Sequence, residues 1–294
     1  MARTGSLDMI THQNFRSVAR ALTVVENNLA GADELLQSLT INQNIPVIGI
    51  TGPPGAGKST LVNNLITELI KDDKHVAILA IDPTSPFNFG SLLGDRIRMT
   101  PHFNNPQVYI RSLATRGSLG GLSAKTIEMT DVLRAAQFDY ILVETVGVGQ
   151  SEVEIAGLAD ITMVVLVPEA GDEIQNIKSG LMEIADAFII NKADRPGADE
   201  FTGKLKKLLA DQHDNIPAFK TIASENAGIG EIAKFIRQSN KTNDRKTFLA
   251  AEKAYHIIKE RRMANIDKKK LRLDIAEALK DDPQFNLYSF AKNY

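Results

Sequence analysis

Cysteine is absent from this chain, which excludes disulfides, thiolate metal sites and cysteine nucleophiles. Tryptophan is absent too, and aromatic residues make up only 6%. Neither sign of charge is in excess. The formal net charge of −2 gives no electrostatic case for nucleic acid or an anionic membrane as the main partner. Long hydrophobic runs are missing as well. The longest apolar strings, such as residues 161–167, have the size of a strand and fall far short of the roughly 20 residues of a membrane span. Residues 1–8 lack the apolar core of a secretory signal, so a cytoplasmic protein is expected. The five histidines, at positions 12, 75, 102, 213 and 256, are scattered and form no metal-binding tract.

What the chain does have is material for a core. Its 294 residues, 43% hydrophobic and 24% charged, are ordinary for a globular protein of one large domain or two smaller ones. Three regions separate. Residues 1–44 read as an N-terminal helical segment, with Phe15, Val18, Ala19, Leu22, Val25 and Leu29 on one face and a shorter helix around Leu35, Leu36 and Leu39. Residues 45–239 alternate strands and helices, with strands expected at 45–50, 75–81, 108–113, 139–144, 161–167, 186–190 and 217–222. Near-continuous apolar runs such as 140–143 suit parallel strands covered on both faces. The fold class expected is α/β, a doubly wound, mostly parallel sheet with ligands at the carboxyl ends of its strands. Residues 240–294 turn lysine- and arginine-rich and helical. Their apolar stripe, with Phe248, Ala251, Tyr255, Ile258, Leu271, Ile275 and Leu279, must pack on the domain's own side or form a dimerisation arm with another copy.

Two strings carry the chemistry. Gly52, Pro53, Pro54, Gly55, Ala56, Gly57, Lys58 and Ser59 fit G-x-x-x-x-G-K-[ST], the phosphate-binding loop, followed by Thr60 and a helix-periodic run. An apolar strand before it and a helix after it let backbone N–H groups and the helix dipole converge on phosphate oxygens. Lys58 would place a charge between the β- and γ-phosphates, and Ser59 would supply a hydroxyl to Mg²⁺. The second string, Asn191, Lys192, Ala193 and Asp194, follows an apolar run at 186–190. Asp194 would accept from the ring N–H and exocyclic amine of guanine, a donor pair that adenine lacks. Asn191 would donate toward the purine's other edge, and the Lys192 stem can lie against the ring. GTP and GDP are therefore the expected ligands.

Three acids stand where a metal and an attacking water need them: Asp82 and Glu144 at expected strand ends, and Asp95 in the intervening loop. A turn cap before Pro83 is the alternative for Asp82, and a solvated loop acid for Asp95. Gly147, three residues beyond Glu144, could swing its N–H onto the γ-phosphate.

The stretches 81–86, 93–99, 116–121, 143–152 and 171–180 resemble the MeaB/ArgK family, the GTPases associated with methylmalonyl-CoA mutase. The similarity runs from about residue 15 to 240. It implies a homodimeric G-protein chaperone that gates adenosylcobalamin loading of an acyl-CoA mutase and protects that enzyme. By position it implies Lys58 and Ser59 on phosphate and Mg²⁺, and Asp82, Asp95 and Glu144 around the metal and water. It further implies Ser224, Glu225 and Asn226 behind the base, and Lys178 in a segment answering to nucleotide and mutase together. As a residue alone, Lys178 reads equally as a surface helix lysine. The chain departs from the family at 88–90, at Glu169, and in a short tail without tryptophan. No arginine finger is evident in cis and the role of Gln150 is open, so slow intrinsic hydrolysis stimulated by a partner is expected. The alternatives are a metal-delivery GTPase, disfavoured by the missing cysteines and scattered histidines, and an ATPase or kinase of amino-acid transport, disfavoured by Asp194.

Overall fold

The computed structural model describes residues 10–82, 96–114, 124–145, 155–168, 182–212, 216–239, 245–282 and 284–292. Among them, Asp95, Gly147, Gln150 and Lys178 do not appear, so those four expectations lie outside the described residues. The described chain falls into two compact units, residues 1–249 and 250–294.

The first unit is built on a seven-stranded sheet whose neighbouring strands all pair in parallel. Its strands are β1 (Val47–Thr51), β2 (Val76–Asp82), β3 (Val108–Ala114), β4 (Tyr140–Glu144), β5 (Ile161–Leu166), β6 (Ala187–Ile190) and β7 (Ala218–Lys220). Their order across the sheet is β3-β2-β4-β1-β5-β6-β7. β1 lies in the interior between β4 and β5, and both faces of the sheet are covered. Burial on both faces is why β1, β5 and β6 read as near-continuous apolar runs without alternation.

Period-two geometry then divides each strand between two cores. Ile48 and Ile50 of β1 join Leu61, Leu65 and Leu69 of α3 (Lys58–Leu69) and Ile229, Ile232 and Ile236 of α6 (Ile229–Gln238). Val47, with Leu79 and Val143 of the neighbouring strands, meets the other layer. That layer is α1 (Phe15–Glu26), α2 (Ala32–Ser38) and α4 (Ala124–Ala135). A third core lies farther along the sheet, where Val164, Leu166, Phe188 and Ile190 pack on Phe201, Leu205 and Leu209 of α5 (Ala198–Gln212).

The N-terminal helices are part of this architecture. α1 is capped by the Asn14 side chain, which accepts from Ser17 N–H at 3.1 Å, and it seats Val18, Ala21, Leu22 and Val25 fully in the core. The stripe recurs at helical spacing as the sequence suggested, except that Leu29 lies beyond the end of α1 at Glu26 and is 48% exposed. The second unit contains most of α7 (Arg245–Met263), then α8 (Lys268–Asp281) and α9 (Leu287–Lys292). No helix among the described residues is long and apolar enough to cross a membrane.

Candidate nucleotide site

β1 ends at Thr51, and the chain turns through residues 52–57 into α3. Two glycines in this loop are required by contact as well as by angle. A Cβ on Gly52 would stand 2.1 Å from the Val165 carbonyl oxygen, and one on Gly57 would stand 2.4 Å from Asn191 Nδ2. Gly57 is also the N-cap of α3, with φ +87°, and no side chain caps the helix there. The first-turn N–H groups of Lys58, Ser59 and Thr60 therefore keep the arrangement that favours an anion. The Lys58 ammonium reaches back over the loop, donating to Gly52 O at 2.8 Å and Pro53 O at 3.0 Å.

The acid comes from the strand next door. β4 pairs with β1 so that Glu144 stands opposite Ile50, at the same level as the loop. Ser59 Oγ donates to Glu144 Oε1 at 2.6 Å, and both side chains are buried. Two oxygen-bearing side chains in contact at a phosphate loop are a donor set suited to Mg²⁺, a hard cation that takes oxygen ligands. Immediately beyond, Thr145 N–H bonds Ile50 O at 3.0 Å, and its hydroxyl donates to Thr51 Oγ1 at 2.9 Å. These two bonds fix where Glu144 leaves the sheet. In β2, Ala80 is opposite Glu144, so the backbone of Asp82 lies two residues farther toward the same end. Its side chain is outside what the structure describes. Among the described residues, no three His, Asp or Glu side chains converge as a metal group.

The base motif follows β6. Asn191 is buried, and its side chain ties three segments together. Nδ2 donates to Ala56 O in the phosphate loop at 2.8 Å, while Oδ1 accepts from Thr221 Oγ1 and Ala223 N–H, each at 3.1 Å. Lys192 adopts a left-handed backbone, φ 56°, and Ala193 N–H bonds Thr221 O at 3.0 Å. The turn Ala223–Glu225 ends at Asn226, again left-handed at φ 58°. Between these parts is a cavity of about 240 Å³, walled by Gly57 and Thr60, by Asn191, Lys192, Asp194 and Arg195, and by Ala223 and Ser224. The loop and the base motif, which are distant in sequence, thus meet in one hollow.

Several contributors carried no sequence signal of their own. Asn64, on α3, donates through Nδ2 to Ala223 O at 2.5 Å. In a sequence it reads as a polar residue on a helix face. Arg195 and Ala223 line the cavity but belong to no string that a motif would mark. Thr145 lies just past β4 within the 143–152 string, which assigns it no role of its own.

Comparison with known proteins agrees with this geometry. A family model described as methylmalonyl Co-A mutase-associated GTPase MeaB matches residues 18–276. A Pyrococcus abyssi protein designated a GTPase is 47% identical over 253 residues, 83% of this chain and 78% of that protein. The fused isobutyryl-CoA mutase of Geobacillus kaustophilus is 34% identical over 240 residues. These cover 76% of this chain but only 22% of that larger protein. A solved structure titled LAO/AO transport system kinase superposes with a TM-score of 0.65, covering 96% of this chain and 93% of that one. At 24% identity the likeness is one of fold.

Proposed function

This chain belongs to the MeaB family of methylmalonyl-CoA mutase-associated GTPases, and we propose that it works in the cytoplasm as a G-protein chaperone of an adenosylcobalamin-dependent acyl-CoA mutase. The chain is a GTPase, a hydrolase that converts GTP to GDP and phosphate. The observation that carries the assignment of its site is the Asn191 side chain, bonded at once to the phosphate loop and to the turn behind the base cavity. An amide nitrogen has two hydrogens, and one of them is directed at Ala56 O; the other suits a purine nitrogen.

On this reading the triphosphate lies over residues 52–60, held by loop and helix N–H groups, with Lys58 against the β- and γ-phosphates. Ser59 and Glu144 would hold Mg²⁺ with Asp82 and Asp95, and that ion would neutralise charge developing on the phosphates. Glu144 also orients the attacking water, while Gly147 and Lys178 respond to the γ-phosphate and to the partner. Asp194 selects guanine, backed by Lys192 and by Ser224, Glu225 and Asn226. A kinase of amino-acid transport has no use for that acceptor, and a metal-delivery GTPase is disfavoured by the absence of cysteine.

The mutase partner is supported by the family's description and by the fusion of a related segment to an isobutyryl-CoA mutase. Which acyl-CoA the mutase rearranges is left to the test. Full-length protein loaded with a non-hydrolysable GTP analogue is used to capture partners from the source cell, followed by mass spectrometry. Recovery of an adenosylcobalamin mutase subunit, and faster GTP turnover when that subunit is added, are expected. Capture of a hydrogenase or urease precursor instead, or fast turnover by the chain alone, would overturn the reading.

A further inference from the structure

The turn Ala223–Glu225 forms one wall of the cavity, and Ala223 is held from two directions. Its N–H donates to Asn191 Oδ1 at 3.1 Å, and its carbonyl accepts from Asn64 Nδ2 at 2.5 Å. The turn is short, and the isolated pairing of Ile222 with Ala227 closes it behind. Beyond the burial of the Ala223 methyl in the core, these two amides are the side-chain hydrogen bonds that tie Ala223 to the rest of the molecule. Asn191 comes from the base motif itself. Asn64 comes from α3, the helix whose first residues, Lys58 and Ser59, stand at the phosphate end of the site.

We propose that Asn64 is a positioning residue for the base: its bond to Ala223 O sets the turn 223–225 against the guanine pocket and fixes that wall to the phosphate-loop helix. The inference rests on the guanine reading above. An α-helix rises about 1.5 Å per residue, so Asn64 lies about 9 Å along a rigid rod from Lys58. That distance is comparable to the span from a nucleotide's β-phosphate toward its base. One rod thus carries a phosphate-binding end and a base-wall end, and their separation is preset. Asn64 is half-buried, which shields the bond from competing water. Neighbouring contacts hold the rod itself in place. The His102 ring nitrogen Nε2 lies 3.0 Å from Asn63 O, and Arg237 donates to Glu68 O at 2.6 Å.

The test uses the full chain with Asn64→Asp and Asn64→Ala, and with Asn64→Gln, which keeps an amide donor. Asn64→Asp keeps the size but turns the donor into an acceptor facing a carbonyl. Calorimetric affinities for GDP and ADP are measured alongside thermal unfolding of the nucleotide-free protein. The expectation is GDP binding weakened about fivefold to tenfold in the Asp and Ala variants, the range of one lost hydrogen bond, through faster release. ADP binding should change little, so the GDP-to-ADP ratio narrows, and Asn64→Gln should restore part of it. An unchanged ratio, or GDP and ADP weakened alike, would overturn the inference even if the variants unfold earlier. If the unsubstituted protein bound GDP and ADP equally, the guanine reading would fail, and this inference with it.

Discussion

Asp194 lines the cavity together with Lys192 and Arg195, and Gly57 of the phosphate loop lines it as well. A carboxylate there matches the N1–H and exocyclic amine of guanine. Asparagine would turn one of those acceptors into a donor and suit the extra carbonyl of xanthine. Hydrogen bonds to a charged group contribute about 1.5–3 kcal/mol, so Asp194→Asn should weaken GDP roughly 10- to 150-fold. Xanthosine diphosphate should gain, and competitive titration of the two would expose the failure of the idea if guanine stayed preferred. Gly57 is the second test at this scale. A methyl there would meet Asn191 Nδ2 at 2.4 Å and sit on a backbone of φ +87°, a strain of about 1–3 kcal/mol. Gly57→Ala should separate the base motif from the loop and lower nucleotide affinity by more than about tenfold. A GDP affinity within a factor of two of the parent would show that the latch is dispensable. Both motifs were legible in the sequence because each is a contiguous string with a strand before it. Asn64 was not. Its bond to Ala223 reaches 159 residues along the chain, and one contact between distant elements leaves no periodic trace.

Secondary structure elements were legible where burial is symmetric. β1, β5 and β6 are covered on both faces and appear as near-continuous apolar runs, found to within a residue or two of the expected bounds. β7 is shorter than expected, three residues at Ala218–Lys220, for a physical reason. Thr221 still bonds back to Ile190 O at 2.9 Å, but Ile222 turns to pair with Ala227, because the chain there must begin the wall of the cavity. α1 was legible from its stripe, and its packing makes a prediction. Leu22 is fully buried between α1 and the sheet, so Leu22→Ala should cost about 2–5 kcal/mol by denaturant unfolding. A change under about 0.5 kcal/mol, the range of surface substitutions, would mean that α1 is not part of the cooperative core. At the opposite ends of β2 and β4, the His75 ring lies 4.2 Å from the His12 ring, near Asp139. Burial first, then His12, hold the His75 pKa below its ordinary 6.5, with Asp139 opposing. The unfolded chain therefore binds this proton more readily than the folded one. Its contribution to stability is complete above pH 6.5 and is lost as the pH falls through the lowered value. The unfolding midpoint should drop on acidification from pH 7 to 5, and the drop should be smaller in His75→Gln. Equal slopes for the two proteins would assign the acid sensitivity elsewhere.

At the scale of the whole molecule, the second unit is the part whose own helices do not bury their apolar side chains. α8 and α9 bury no side chain, and Leu273, Leu279, Leu287 and Tyr288 are all more than half exposed. On α7, Tyr255 is 66% exposed and Ile258 48%. Isolated helices of this length are marginal in water, and exposed apolar side chains gathered on them mark a surface that something covers. The sequence displayed the stripe but not its cover, because hydrophobic periodicity reports that a face is buried and not against what. We propose that a second copy of this chain supplies the cover, since identical stripes satisfy each other about a twofold axis. Sedimentation of the full chain should then give twice the 32.2 kDa of one copy. Charges placed on two of these faces, in an Ile258→Glu and Leu273→Glu double variant, should yield the single copy. GDP affinity should stay the same, because neither residue lies in the first unit, which holds the nucleotide cavity. A parent protein that sediments as one copy at tens of micromolar would refute the proposal, as would a double variant that remains paired. Loss of GDP binding together with pairing would show instead that the second unit acts on the nucleotide site, and the two units would then have to be treated as one switch.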